Sequence, residues 1–178
     1  MRIRHLVFVS VTVAAFAVAG GPASALEARE TRAQVILDVP NTWQVARQGE
    51  FVRAHPPDKS FEVSLAGTEH GPWQEAEAEK FLLDIVLTGA GRPHQELHVD
   101  THARRVDWGN YSGLEVFGTG RMGNDYDTNL APSKWFALVL VNKTTPSKGI
   151  YAVGIGSPAG YNTHEPGIYA AFHTLRSY

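Results

Sequence analysis

The chain contains no cysteine. That excludes a disulfide scaffold, a thiolate metal site, a cysteine nucleophile and a lipidated cysteine. Charge of one sign is also scarce: 16 Lys+Arg stand against 18 Asp+Glu, a formal charge of −2. Such a balance leaves no basic footprint for nucleic acid. The low hydrophobicity or high net charge of a disordered chain is missing too, since 43% of the residues are hydrophobic and 19% are charged. Neither an H-E-x-x-H zinc motif nor a Walker phosphate loop occurs, and no cofactor is expected. What remains is ordinary globular composition in 178 residues, a length that suits one domain.

There is a single long apolar run, residues 6–19, broken only by Ser10 and Thr12. Arg2, Arg4 and His5 precede it; Gly20-Gly21-Pro22 and Ala23-Ser24-Ala25 follow. A basic stretch, an apolar stretch and an A-x-A triplet form the layout of a signal peptide, so residues 1–25 are expected to be removed after Ala25. The run is short for a bilayer span of about 20 residues, which opposes an uncleaved anchor. Losing Arg2 and Arg4 would leave 14 basic against 18 acidic residues and no further membrane span. A mature chain of about 150 residues buries enough surface for a core without covalent staples. A cysteine-free exported chain suits a bacterial periplasmic or secreted location.

Along the mature chain, residues 26–32 are polar and read as a flexible leader, with residues 33–178 as a single α+β domain. Val35, Leu37 and Val39 alternate with polar neighbours, the pattern of a half-buried strand. Residues 43–45, 51–55 and 61–65 read as three more strands, separated by Pro- and Gly-containing turns, and the four together suggest an antiparallel meander. The period then switches. Ala78, Phe81, Leu82, Ile85 and Val86 form a helical stripe within an expected helix over 72–88, with Pro72 at its start and Gly89 and Gly91 at its end. Residues 95–103 alternate again; 114–119 form a strand, 120–132 a polar loop, 134–141 a buried central strand, and 150–155 a last strand. Pro166 is expected to open a final helix over 166–176, with Ile168, Ala171, Phe172 and Leu175 as its stripe. The order predicts an α+β fold: one mainly antiparallel sheet flanked by helices.

Several of these residues carry a resemblance. Val39-Pro40-x-x-Trp43 opens the domain, Trp135-Phe136-Ala137-Leu138-Val139-Leu140 and Ile150-Tyr151-Ala152-Val153 come late, and Ala171-Phe172-His173-Thr174-Leu175-Arg176 closes it. Over residues 35–176 the organisation resembles the PsbP-like superfamily, which includes the extrinsic PsbP subunit of photosystem II, a Ran-binding nuclear import factor and many exported bacterial proteins. The resemblance implies an α/β/α sandwich around an antiparallel sheet. It implies partner binding without shared catalytic residues, so no functional residue carries over.

The sharpest chemical constellation is His98-x-Asp100-x-His102, with His94 four residues before it. On one continuous strand these would share a face, spaced about 6–7 Å apart, and two histidines with a carboxylate suit Zn²⁺. Arg104 follows on the same face and repels a cation, so a wet strand face competes with the metal reading. Asp125-x-Asp127-x-Asn129 starts like a calcium loop, but Leu130 and Phe136 stand where glycine and glutamate are required. Gly118-x-Gly120-x-x-Gly123 has dinucleotide spacing without a following helix and reads as turn chemistry. Gly154-x-Gly156-Ser157 lacks the spacing of a nucleophile elbow. Of four tryptophans, Trp43 and Trp135 read as core, leaving Trp73 and Trp108 as candidate binding platforms. The function these features favour is an exported non-catalytic module that binds a protein or cell-envelope component. The alternatives are an exported hydrolase-like enzyme with a dispersed active site, and a metal-binding protein using His94, His98, Asp100 and His102.

Overall fold

In the computed structural model, the described residues are 25–68, 75–87, 95–123 and 130–178. Residues 1–24 of the expected signal segment, with Pro72, Trp73, His94 and the 125–129 motif, fall outside them. Strand β1 (Leu26–Glu30) pairs antiparallel with β2 (Val35–Val39). The expected flexible leader is therefore a strand, with Ala28 and Glu30 buried. Its polar composition concealed this because the buried acid makes its own local bonds. The Glu30 carboxylate accepts the N–H groups of Arg32 at 3.1 Å and Ala33 at 2.6 Å, and so builds the β1–β2 turn.

β3 (Gln44–Gln48), β4 (Phe51–His55) and β5 (Phe61–Thr68) form the meander that the turns predicted. β2 does not join them. It is the middle of a three-stranded sheet closed by β11 (Arg176–Ser177), so there are two antiparallel sheets where one was expected. Pro40 and the turn bond from Trp43 N–H to Pro40 O at 2.9 Å separate β2 from β3. Long-range pairing with β1 and β11 then decides where β2 goes, and local pattern carries no trace of it.

The larger sheet runs β3-β4-β5-β10-β9-β8-β6, where β6 is Gln95–Val99, β8 Tyr111–Met122, β9 Ala131–Asn142 and β10 Gly149–Gly156. β7 (Arg104–Trp108) pairs the other end of β8. β8 and β9 pair along twelve residues each, longer than expected: Gly120 to Met122 and Ala131 to Pro132, read as loop, are strand. Gly118 and Gly120 are there because β6 and Trp135 come too close for a side chain. A Cβ at Gly118 would lie 2.1 Å from Trp135 Cζ2 and 2.0 Å from His98 O.

Helix α1 (Glu75–Leu87) buries Ala78 and Leu82 on one face of the large sheet, against Leu114, Val116, Trp135, Ala137 and Val139. Helix α2 (Pro158–Phe172) and the small sheet cover the opposite face, where Phe61, Phe136, Leu138, Ile168 and Phe172 are packed. Alternation along β9 sends odd residues to one core and even residues to the other. The α/β/α layering is as expected. The last helix is not where it was expected: it starts at Pro158, with Ser157 as N-cap accepting the Gly160 N–H at 3.1 Å. Pro166 sits inside it. Burial of Tyr161, Ile168, Ala171 and Phe172 outweighs the interior-proline cost of about 3 kcal/mol. The helix ends at Phe172, so Arg176 belongs to β11.

Candidate functional site

The two faces of β8 carry different chemistry. On the α1 face, Leu114 of β8 and Val139 and Val141 of β9 make an apolar floor beside Ala78 of α1. Ser112, Asp107 and Lys143 rim it, and the cleft encloses about 510 Å³. That volume lies within the range of small-ligand and side-chain sites. Arg105 also lines the cleft, and at the rim Lys143 Nζ donates to Asp107 Oδ1 at 2.6 Å and to Gly109 O at 2.8 Å. Gly113 keeps the β8 wall close to β9, since a Cβ there would stand 1.8 Å from Val139 O. The cleft can bury an apolar group and frame it with fixed polar ones.

On the α2 face, Glu115 is the feature that sequence reasoning missed. Its side chain is only 2% exposed, whereas Arg104, which pairs with it from β7, is 63% exposed. Tyr169 OH on α2 donates to Glu115 Oε2 at 2.8 Å, and Arg104 Nε donates to Oε1. The Arg104 guanidinium also lies over the Phe117 ring, 4.6 Å from its centroid. About two turns of α2 earlier, Tyr161 OH donates to Glu165 Oε1 at 3.1 Å. Burial, with the Glu115 charge beside it, pushes the Tyr169 phenol well above its ordinary value. Burial, with Glu165 beside it, does the same to Tyr161. Both phenols therefore stay neutral donors at ordinary pH and are unsuited to act as bases. The arrangement fastens α2 to the sheet through a buried, doubly bonded carboxylate. The available signal was the alternation Tyr111, Glu115, Phe117, which puts a lone acid on a core-facing row.

The His98 set does not form one ligating row. β6 ends at Val99, and residues 100–103 are not strand. The continuous strand over 95–103 is thus corrected: the Asp100 N–H still bonds Phe117 O at 2.9 Å in the β6 register, but the next pairing, Arg104 opposite Glu115, is two residues out of it, so the chain leaves the ladder between Asp100 and Arg104. Val99, expected on the core face, is 39% exposed. His98, Asp100 and His102 are each exposed. Among the described residues, no three His, Asp or Glu side chains gather as a metal would require. Trp108 is half-buried rather than offered as a platform: its ring stacks on Phe172 at 5.7 Å, with Tyr169 at 5.8 Å and His173 at 5.3 Å. Trp43 and Trp135 are buried, as expected. Ser157 is a helix cap, and Gly154 lies under Phe136, whose Cε1 would be 2.1 Å from a Cβ there.

No protein-family model and no curated protein sequence matches the chain. Solved structures do. The solution structure of cyanobacterial PsbP (CyanoP) from Synechocystis sp. PCC 6803 aligns with a TM-score of 0.62 at 13% identity, over 90% of this chain and 96% of that one. The crystal structure of LpqN, involved in cell envelope biogenesis of Mycobacterium tuberculosis, aligns with a TM-score of 0.51 at 12% identity, over 88% of this chain and 86% of that one. With the antiparallel sheet between its two helices, the chain has a PsbP-like α+β fold.

Proposed function

We propose that this protein is an exported, non-catalytic binding module that recognises a protein or cell-envelope component. The observation that carries the reading is the cleft on the α1 face, with its floor of Leu114, Val139 and Val141 and its paired Asp107–Lys143 rim. Such a site gains affinity by removing apolar surface from water, with the rim setting orientation. On the other face, the titratable cluster consists of neutral phenols and bonded carboxylates, which hold structure rather than move protons. The likeness to LpqN supports an envelope setting at the level of fold. Export rests on the basic, apolar and A-x-A segments of residues 1–25.

The test is capture from an envelope extract with the wild type and with Ser112→Trp, which fills the cleft from a half-buried rim position. Partners that depend on the cleft should be lost in the variant at unchanged thermal stability. Identical capture profiles would refute the cleft as the binding site. In the native host, the recovered protein should begin at Leu26; a chain retaining Met1 would refute export.

A further inference from the structure

We propose that the outer edge of β6 pairs with the same edge of a second copy of this chain, antiparallel and centred on Val99, so that two large sheets continue as one. The pairing does not depend on the cleft or on what fills it.

β6 ends the large sheet, and β8 is its one partner strand among the described residues. The carbonyls of Glu96 and His98 turn toward β8, where a Cβ on Gly120 or Gly118 would come within 2.3 or 2.0 Å of them. The Asp100 N–H points the same way, to Phe117 O at 2.9 Å. Backbone groups alternate along a strand, so the N–H and C=O of Leu97 and Val99 face outward. Proteins ordinarily blunt such an edge with lysine, proline or a covering segment. The sequence of β6, Gln95-Glu96-Leu97-His98-Val99, has neither lysine nor proline.

The side chains choose the occupant. Val99 is 39% exposed, one of three exposed large hydrophobic residues among those described. On the other face of the strand Glu96, His98 and Asp100 are all exposed. Among the described residues, Glu96 and His98 have no side-chain partner, and Asp100 uses only Oδ1, which accepts from Thr119 Oγ1 at 3.0 Å. Arg121, opposite Glu96 on β8, is turned to Leu130 O at 3.0 Å. A two-fold axis at Val99 sets the two exposed valines against each other and lets them exchange two backbone hydrogen bonds. It also sets His98 opposite Asp100 of the second copy, twice, so each imidazole meets a carboxylate with an oxygen to spare. A register centred on Leu97 would leave Val99 opposite Gln95, and Leu97 is already packed against the α1 core. The edge is therefore self-complementary, as a two-fold interface between copies must be. It is also small, so the dimer is weak and depends on concentration.

The test is sedimentation velocity of the protein recovered from its native host, up to about 1 mM and at about pH 6, near the ordinary histidine value. The dimer fraction should rise with concentration. Val99→Lys, which sets two ammonium groups against each other, should be monomeric at an unchanged melting temperature. His98→Asp and Asp100→His should each weaken dimerisation about tenfold by placing like charges opposite one another. The double variant restores an Asp–His pair across the axis and should recover most of the loss. A wild type that stays monomeric throughout overturns the proposal. So does association that survives Val99→Lys, or a double variant as weak as the single ones.

Discussion

Replacing Tyr169 by phenylalanine isolates the buried carboxylate of Glu115. The hydroxyl donates to Glu115 Oε2 at 2.8 Å, and the ring packs on Phe117 and Phe136 at 6.3 and 5.5 Å. Phenylalanine keeps those ring contacts, so the loss reports the hydrogen bond. A hydrogen bond to a charged group contributes about 1.5–3 kcal/mol, and Glu115, at 2% exposure, has no compensating access to water. Arg104 remains as a partner, which sets the expected loss near 2 kcal/mol rather than at the top of that range. In a domain of this size, that lowers the melting temperature by roughly 4–8 °C. Urea unfolding followed by tryptophan fluorescence should show a lower midpoint with an unchanged slope, since no surface is newly exposed in either state. The alkaline limb supplies a second sign. The folded protein holds the Tyr169 proton to higher pH than the unfolded chain does. Stability is thus fully present below the usual tyrosine value of about 10 and falls as pH rises above it. Tyr169→Phe should make that fall shallower. A cost below about 0.5 kcal/mol would refute the view that Glu115 depends on this donor.

Three further perturbations probe other elements. Gly118→Ala should cost at least about 1–3 kcal/mol by forcing Trp135 or β6 aside, seen in thermal melts and in shifted resonances of both strands. Ser157→Ala should cost about 1 kcal/mol by removing the α2 cap, and Ser157→Thr should recover most of it. Arg176→Ala breaks exposed pairs to Asp38 and Glu27; it should lower amide protection in β11 and β1 while leaving the global midpoint unchanged, and the effect should fade in high salt.

What the sequence revealed follows from how local each signal is. Strand β4 and the buried run of β9 were legible because period and length suffice for them. The core of α1 was legible through Ala78, Phe81 and Leu82. The start of α2 was misplaced because Pro166 imitates an N-terminal proline, while the true signal, Ser157-Pro158, stood eight residues earlier. β1 was hidden because its buried acid, Glu30, reads as polar until the turn it bonds is known. The second sheet joins residues 26–39 to residues 176–177, a pairing that no window of sequence contains. The cleft was equally illegible: its floor and rim come from α1, β7, β8, β9 and the loop after β9, and none of those residues forms a motif alone. The strand that carries the histidine pattern was read as continuous over 95–103, but β6 ends at Val99 and the pairing with β8 resumes at Arg104 two residues out of register, a shift that alternation alone does not record.

The alternating allegiance of β8 and β9 has a consequence for insertions and deletions. Leu114 and Val116 serve the α1 core, while Tyr111 and Phe117 pack with the α2 core. On β9, Trp135, Ala137 and Val139 serve the first, and Phe136, Leu138 and Leu140 the second. Adding or removing one residue inside either strand exchanges every one of these assignments downstream. It would also turn Glu115, or whatever replaces it, toward α1. The same length change in the loop at residues 143–148 alters no side-chain facing at all. Length variation in relatives of this chain should therefore concentrate in that loop and spare the two long strands, even where almost every residue identity has changed.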